Sequence, residues 1–146
     1  IKDQTTKKRV VQNRYEFIKS NKPAFKDRAI RRWFTAEFLQ NNKNIYNQIF
    51  AMLDGNNHEN LLKAYKLFVY YEDQDEMFDK INTNTLVTTG QNDVGSTTEM
   101  AMAISEKIKG AKYVEIKNGK HLCSMECSEE FNKVLENFID KNYDGS

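Results

Sequence analysis

The chain predicts an α/β protein in two parts: a helical segment over residues 1–80, then strand, helix, strand, helix over 81–146. Three observations carry that reading. Apolar residues recur at i, i+4 and i+7 through much of the first 80 positions, the spacing of one helix face. Only one Pro and six Gly occur among 146 residues, which leaves long stretches without breakers. Beyond position 80 two short β-branched or aromatic runs follow, "NTLVTT" and "KYVEIK", each succeeded by a turn and a helix start.

Taken in order, "KKRVVQNRYEFIKSN" puts Val11, Tyr15 and Ile18 on one face, and Pro23 suits a first helical turn or the break before it. "RRWFTAEFLQ" is a short aromatic-rich piece. "NIYNQIFAMLDG" repeats the helical spacing through Ile45, Ile49 and Leu53 and stops at Gly55. "NHENLLKAYKLFVYY" runs through Leu61, Ala64, Tyr65 and Phe68, and "EDQDEMFDKI" is polar with a short apolar end. "NTLVTT" is then a buried strand. Ser96 with Glu99 reads as a capping box, S-x-x-E, opening a helix whose apolar face is Met100, Ile104 and Ile108 and which ends at Gly110. "KYVEIK" is the second strand. Ser128 is the expected cap of the last helix, with Glu129 and Glu130 in its first turn, where the helix dipole favours acids. Its stripe is Phe131, Val134, Leu135, Phe138 and Ile139. Strand-helix-strand units form parallel sheets, which need both faces covered and more than two strands. This sequence supplies two, so half of the sheet is expected to be missing.

Composition narrows the function classes. Hydrophobic residues make up 39% and charged residues 29%, neither a disordered nor a membrane-spanning balance. The longest apolar run is about "LFVYY", far short of the roughly 20 residues that span a bilayer. "IKDQTTKKRVV" has charge but no apolar stretch behind it, so nothing resembles a signal peptide. A net charge of +1 with interspersed signs gives no argument for nucleic acid or a membrane surface as partner. Cys123 and Cys127 do not form CxxC, and no further Cys or His completes a zinc set, so they read as free thiols of a cytoplasmic protein.

Two residues stand where chemistry collects in open α/β sheets, just past the carboxyl ends of strands. Asp93 follows the first strand in "TLVTTGQNDVGST", and His121 follows the second in "NGKHLCS". A carboxylate there can hydrogen-bond one imidazole nitrogen, fix the tautomer and stabilise the imidazolium formed when the other nitrogen takes a proton from a nucleophile. Taken singly, each has a plainer reading: an Asp after a strand is most often an Asx-turn residue, and one His beside a Gly is a weak signal.

Residues 85–139 resemble the C-terminal end of the α/β-hydrolase superfamily. Its "TLV-x-x-G-x-x-D-x-x-S/T" pattern stands here as "TLVTTGQNDVGST", and its "G-x-G-H-L…E-x-P-E-x-F" pattern as "KNGKHLCSMECSEEF". Upstream, "RRWFTAEF" resembles the "RWFT-x-x-F" signature in the lid of 3-oxoadipate enol-lactone hydrolases and their relatives. The resemblance implies a helical lid (1–80) followed by the C-terminal βαβα part of the core (81–146). It implies Asp93 as the triad acid and His121 as its base, acting on an ester or lactone of a small organic acid without cofactor or metal. Loop prolines of the family are replaced by Asn84, Val94, Thr98 and Ser128. The family's nucleophile elbow, G-x-S-x-G, and its oxyanion loop lie upstream of the lid, and neither motif occurs here; none of the six serines suits an elbow. The chain is therefore expected to be the C-terminal fragment of a longer serine hydrolase, inactive alone. Its partners would be the missing N-terminal half and, through an exposed sheet edge, a second copy of itself.

In the same resemblance Trp33 is the substrate-contact candidate, set against packing in the lid. Arg32, or Arg31, could hold a substrate carboxylate, set against surface solvation. Glu126 reads as a residue holding the loop after His121, Cys123 as a small buried thiol, Phe34 and Phe38 as core, and His58 as a polar helix start. Two further readings compete with the enzyme: a ligand-binding protein on the same scaffold with a vestigial triad, and a free-standing helical interaction module in which the Asp/His pair is accidental.

Overall fold

The computed structural model describes residues 4–20, 24–71 and 75–143. Pro23, the 72–74 part of "EDQDEMFDKI", Ser146 and the side chain of Phe68 lie outside the described residues. Eight α-helices, one 3-10 turn and two strands occur among them. The helices are α1 (Gln4–Lys19), α2 (Ala24–Trp33), α3 (Ala36–Asn41), α4 (Lys43–Asp54), α5 (His58–Tyr70), α6 (Thr98–Lys107), α7 (Cys123–Glu126) and α8 (Ser128–Tyr143). The strands are β1 (Leu86–Gly90) and β2 (Lys112–Ile116), with the 3-10 turn at Asp75–Lys80. Two compact units form, one from residues up to 31 with 39–71, the other from 32–38 with 75–143.

In the first unit α1 packs on α5, and Ile18, Phe25, Ile30 and Leu39 are buried. The α1 stripe is as its spacing predicts: Val11 and Tyr15 are half-buried above Ile18. Arg28 lays its guanidinium 4.9 Å from the Phe17 ring centre. Asp27 accepts from Arg31 Nε and from the Tyr46 hydroxyl, each at 2.8 Å, which ties α2 to α4. On α5, Leu61 and Tyr65 are half-buried, but Ala64 is exposed; a 3.6-residue period marks a face without saying how wide its covered part is.

The second unit is built on the two strands, paired in parallel with Leu86 opposite Lys112 and Gly90 opposite Ile116. Residues facing one another across the pair share a face. Thr89, on one face, donates its hydroxyl to the Ser96 carbonyl at the entry of α6 (2.7 Å). Lys112, on the other, holds its ammonium 6.0 Å from the Phe138 ring of α8. The crossover helix and the last helix thus flank opposite faces. Ile116, Ala101, Ile108 and Phe34 are buried here.

Three expectations change. The cap of α6 is Thr97, whose hydroxyl accepts from Met100 N–H, and not Ser96. Ser96 is instead bound into the turn before the helix by its own N–H and carbonyl. At α8, Ser128 is the first helical residue and the Cys127 carbonyl accepts from Phe131 N–H (2.9 Å); Glu129 and Glu130 do occupy the first turn. Leu135 and Ile139 of the α8 stripe are 40% and 45% exposed, while Phe131, Val134 and Phe138 are half-buried.

Candidate active site

The carboxyl ends of β1 and β2 continue into two turns that are stitched together by backbone. Gln91 N–H extends the ladder by donating to the Ile116 carbonyl (2.9 Å), and Asn92 N–H donates to the Gly119 carbonyl (2.8 Å). Side chains double these links. Asn92 Nδ2 donates to the Asn118 carbonyl (3.2 Å), and Asn118 N–H donates to Gln91 Oε1 (3.1 Å). Asn118 has φ 59°, a left-handed conformation that Asn tolerates better than most residues. Gly90 is required by closeness: a Cβ there would lie 2.2 Å from the Lys120 carbonyl oxygen.

On this rim Asp93 and His121 meet. His121 Nδ1 lies 2.7 Å from Asp93 Oδ2, across 28 positions of sequence. The other oxygen, Oδ1, accepts from Gly95 N–H (2.7 Å) and Ser96 N–H (3.1 Å). The Asp93 side chain is 3% exposed and the His121 side chain 43%. Burial alone would raise the Asp93 carboxyl pKa and is the largest influence on it. The hydrogen bond with His121 and those from the Gly95 and Ser96 amides oppose it together, and the carboxyl stays below its ordinary value. A carboxylate so held can only accept, so the shared hydrogen belongs to Nδ1.

The loop after His121 is held on both sides of it. Glu126 Oε2 accepts from Lys120 N–H (2.9 Å), and Leu122 N–H donates to the Trp33 carbonyl (3.0 Å). Glu126 Oε1 accepts from Thr35 N–H (2.7 Å) and from the Thr35 hydroxyl. Glu126 therefore holds the loop, as its position after His121 suggests.

The remaining candidates fall in several places. Trp33 and Arg32 are the last two residues of α2 and are half-buried. The Trp33 indole N–H is buried without a hydrogen-bond partner. Arg32 Nη1 lies 3.7 Å, and Asp93 Oδ1 3.3 Å, from the point where a side chain at Gly95 would begin, so Arg32 stands beside the turn of the acid. Arg31 pairs with Asp27. Phe34 is fully buried and stacks on Phe38 with ring centres 5.2 Å apart. His58 opens α5. Cys123 and Cys127 are free thiols, each with its pKa pushed up by burial. Among the described residues no group of three or more His, Cys, Asp or Glu could hold a metal ion, and no helix is long and apolar enough to cross a membrane. Sequence reasoning missed Thr35, because its partner Glu126 is 91 positions away. Gly90 entered it only as the Gly of the "TLV-x-x-G" pattern, although a Gly closing a β-branched run is a signal of close backbone approach.

No protein-family model and no curated protein sequence matches the chain. Solved structures do. The enol-lactonase from Burkholderia xenovorans LB400 is 22% identical with a TM-score of 0.82, over 90% of this chain and 50% of that one. A thermophilic esterase from Thermogutta terrifontis is 22% identical with a TM-score of 0.80, over 97% and 52%. MGS-M2, an alpha/beta hydrolase enzyme from a Medee basin deep-sea metagenome library, is 15% identical with a TM-score of 0.74, over 90% and 50%. The chain spans about half the length of each. At such identities likeness establishes the fold: the chain carries the C-terminal portion of the α/β-hydrolase fold.

Proposed function

We propose that Asp93 and His121 are the acid and base of a serine-hydrolase triad that cleaves an ester or lactone of a small organic acid, with the nucleophile supplied by sequence outside these 146 residues. The observation that carries this is the 2.7 Å contact between Asp93 Oδ2 and His121 Nδ1, with the acid buried and the imidazole open. The serine hydroxyl would attack the carbonyl carbon while Nε2 of His121 takes its proton. Asp93 would stabilise the imidazolium without itself becoming protonated, the role of the acid in the Ser-His-Asp template. The same proton would pass to the leaving alkoxide, and a water activated by His121 would release the acyl group. Trp33, and Arg32 beside the acid's turn, are the proposed substrate contacts, and the helical segment 1–80 the proposed lid. Structural neighbours described as an enol-lactonase and an esterase support this substrate class. The two free thiols suit a reducing compartment such as the cytoplasm.

The test is turnover of an activated ester by the full-length protein that contains these residues. His121→Ala should lower kcat by roughly 10^4- to 10^6-fold, the range found when triad members are removed. Turnover within tenfold of the unaltered enzyme would refute the assignment.

A further inference from the structure

Glu126 is placed to act on His121 without touching it. Its two oxygens are used separately, Oε1 by the N–H and hydroxyl of Thr35 and Oε2 by the N–H of Lys120, the residue before His121. The residue after it, Leu122, donates to the Trp33 carbonyl (3.0 Å), two positions before Thr35. The Thr35 hydroxyl in turn accepts from Phe38 N–H (3.3 Å), so the proton it gives Glu126 sets the lone pair that caps α3. One face of Lys120 is also fixed, since its carbonyl lies against Gly90. We propose that Glu126 is the positioning residue for His121, a carboxylate that ties the backbone before the imidazole to Thr35, beside the Leu122–Trp33 bond that holds the backbone after it, and so keeps Nδ1 on Asp93. The value of that lock for chemistry rests on the reading of His121 as the base.

A neutral Gln at 126 keeps the length of the side chain but offers one acceptor and one donor group, so it cannot receive both Thr35 and Lys120. The experiment is NMR of the isotopically labelled full-length protein that contains these residues, following the His121 Nδ1–H proton, its exchange with water and the ring nitrogen shifts that report the tautomer. Glu126→Gln should speed Nδ1–H exchange by about tenfold or abolish the signal, as loss of one net hydrogen bond implies. Thr35→Ala should move it in the same direction, and Thr35→Ser, which keeps the hydroxyl, should restore it. An Ile104→Ala control with an equally lowered unfolding midpoint should leave it unchanged. Exchange within twofold of the unaltered chain in Glu126→Gln overturns the proposal, as does equal acceleration in the control. Should Glu126→Gln fail to fold, an unmoved signal in Thr35→Ala overturns it. The two readings separate cleanly: a lost signal in Glu126→Gln with full turnover in His121→Ala sinks the hydrolase assignment alone, whereas an unmoved signal with lost turnover sinks the role of Glu126 alone.

Discussion

Replacing Gly90 by Ala would put a Cβ 2.2 Å from the Lys120 carbonyl oxygen, 2.5 Å from that of Gly119 and 2.7 Å from the Gly119 carbonyl carbon. Ordinary van der Waals contact begins at 3.4 Å, so the loop bearing His121 must retreat by the difference between 3.4 and 2.2 Å, about 1.2 Å. All three atoms are backbone, and no side-chain rotation can relieve them. A 2.7 Å contact between His121 and Asp93 stretched by that distance is no longer a hydrogen bond. Overpacking costs about 1–3 kcal/mol, and a lost hydrogen bond to a charged group about 1.5–3 kcal/mol. Restricting the unfolded chain offsets about 0.4–1 kcal/mol. The net is a destabilisation of about 1.5–5.5 kcal/mol, or a urea midpoint lowered by about 0.8–2.8 M for a slope near 2 kcal/mol/M. Because the chain has two compact units, the midpoint should be read on the second alone, from exchange of the Gln91 and Asn92 amides, which donate to the Ile116 and Gly119 carbonyls. A Gly90→Ala chain whose midpoint lies within about 0.3 M of the original, with those amides equally protected, would refute the close approach and the rim geometry derived from it.

Two further outcomes are expected from the same turns. Thr97→Ala removes the N-cap of α6 and should lower stability by about 1 kcal/mol, while Ser96→Ala should stay within about 0.5 kcal/mol; paired thermal denaturation checks the order, and the reverse ranking would restore Ser96 as the cap. Asp93 gives a signed pH dependence. Its carboxyl is held below the ordinary value, so between the two the unfolded chain binds more protons than the folded one. The stabilisation it contributes is complete above an ordinary carboxylate pKa of about 3.9 and is lost as pH falls through the depressed one. Urea midpoints of the unaltered chain and of Asp93→Asn should therefore converge as pH is lowered from about 5 towards 2, and a gap that widens over that range would reverse the sign.

The parts of this site legible in the sequence are those that local pattern controls. Two β-branched runs announce β1 and β2, and parallel strands by their geometry deliver the residues after them to one edge, which is why Asp93 and His121 could be paired before any coordinate. Ser96 has the spacing of a cap, but tertiary bonds move the cap to Thr97, since Ser96 N–H already donates to Asp93 and its carbonyl accepts from Thr89. The Thr35–Glu126 link, 91 positions long, has no local signature at all. Leu135 and Ile139 keep the period of a buried stripe while remaining exposed, because periodicity registers a face and burial needs something to cover it.

The contrast in exposure between the two partners carries the chemical argument. A carboxylate 3% exposed, accepting from two backbone amides on one oxygen and facing an imidazole on the other, is held in one orientation. The imidazole, 43% exposed, is anchored to it through Nδ1. A surface ion pair formed by chance would have both members solvated and would contribute little. Here the Asp93 turn and the His121 loop exchange hydrogen bonds through Gln91, Asn92 and Asn118, so the pair is assembled by the fold itself. Under the proposed function, such preorganisation would remove the reorganisation that a loosely held imidazole requires during proton transfer, and it makes the rim worth testing as a site.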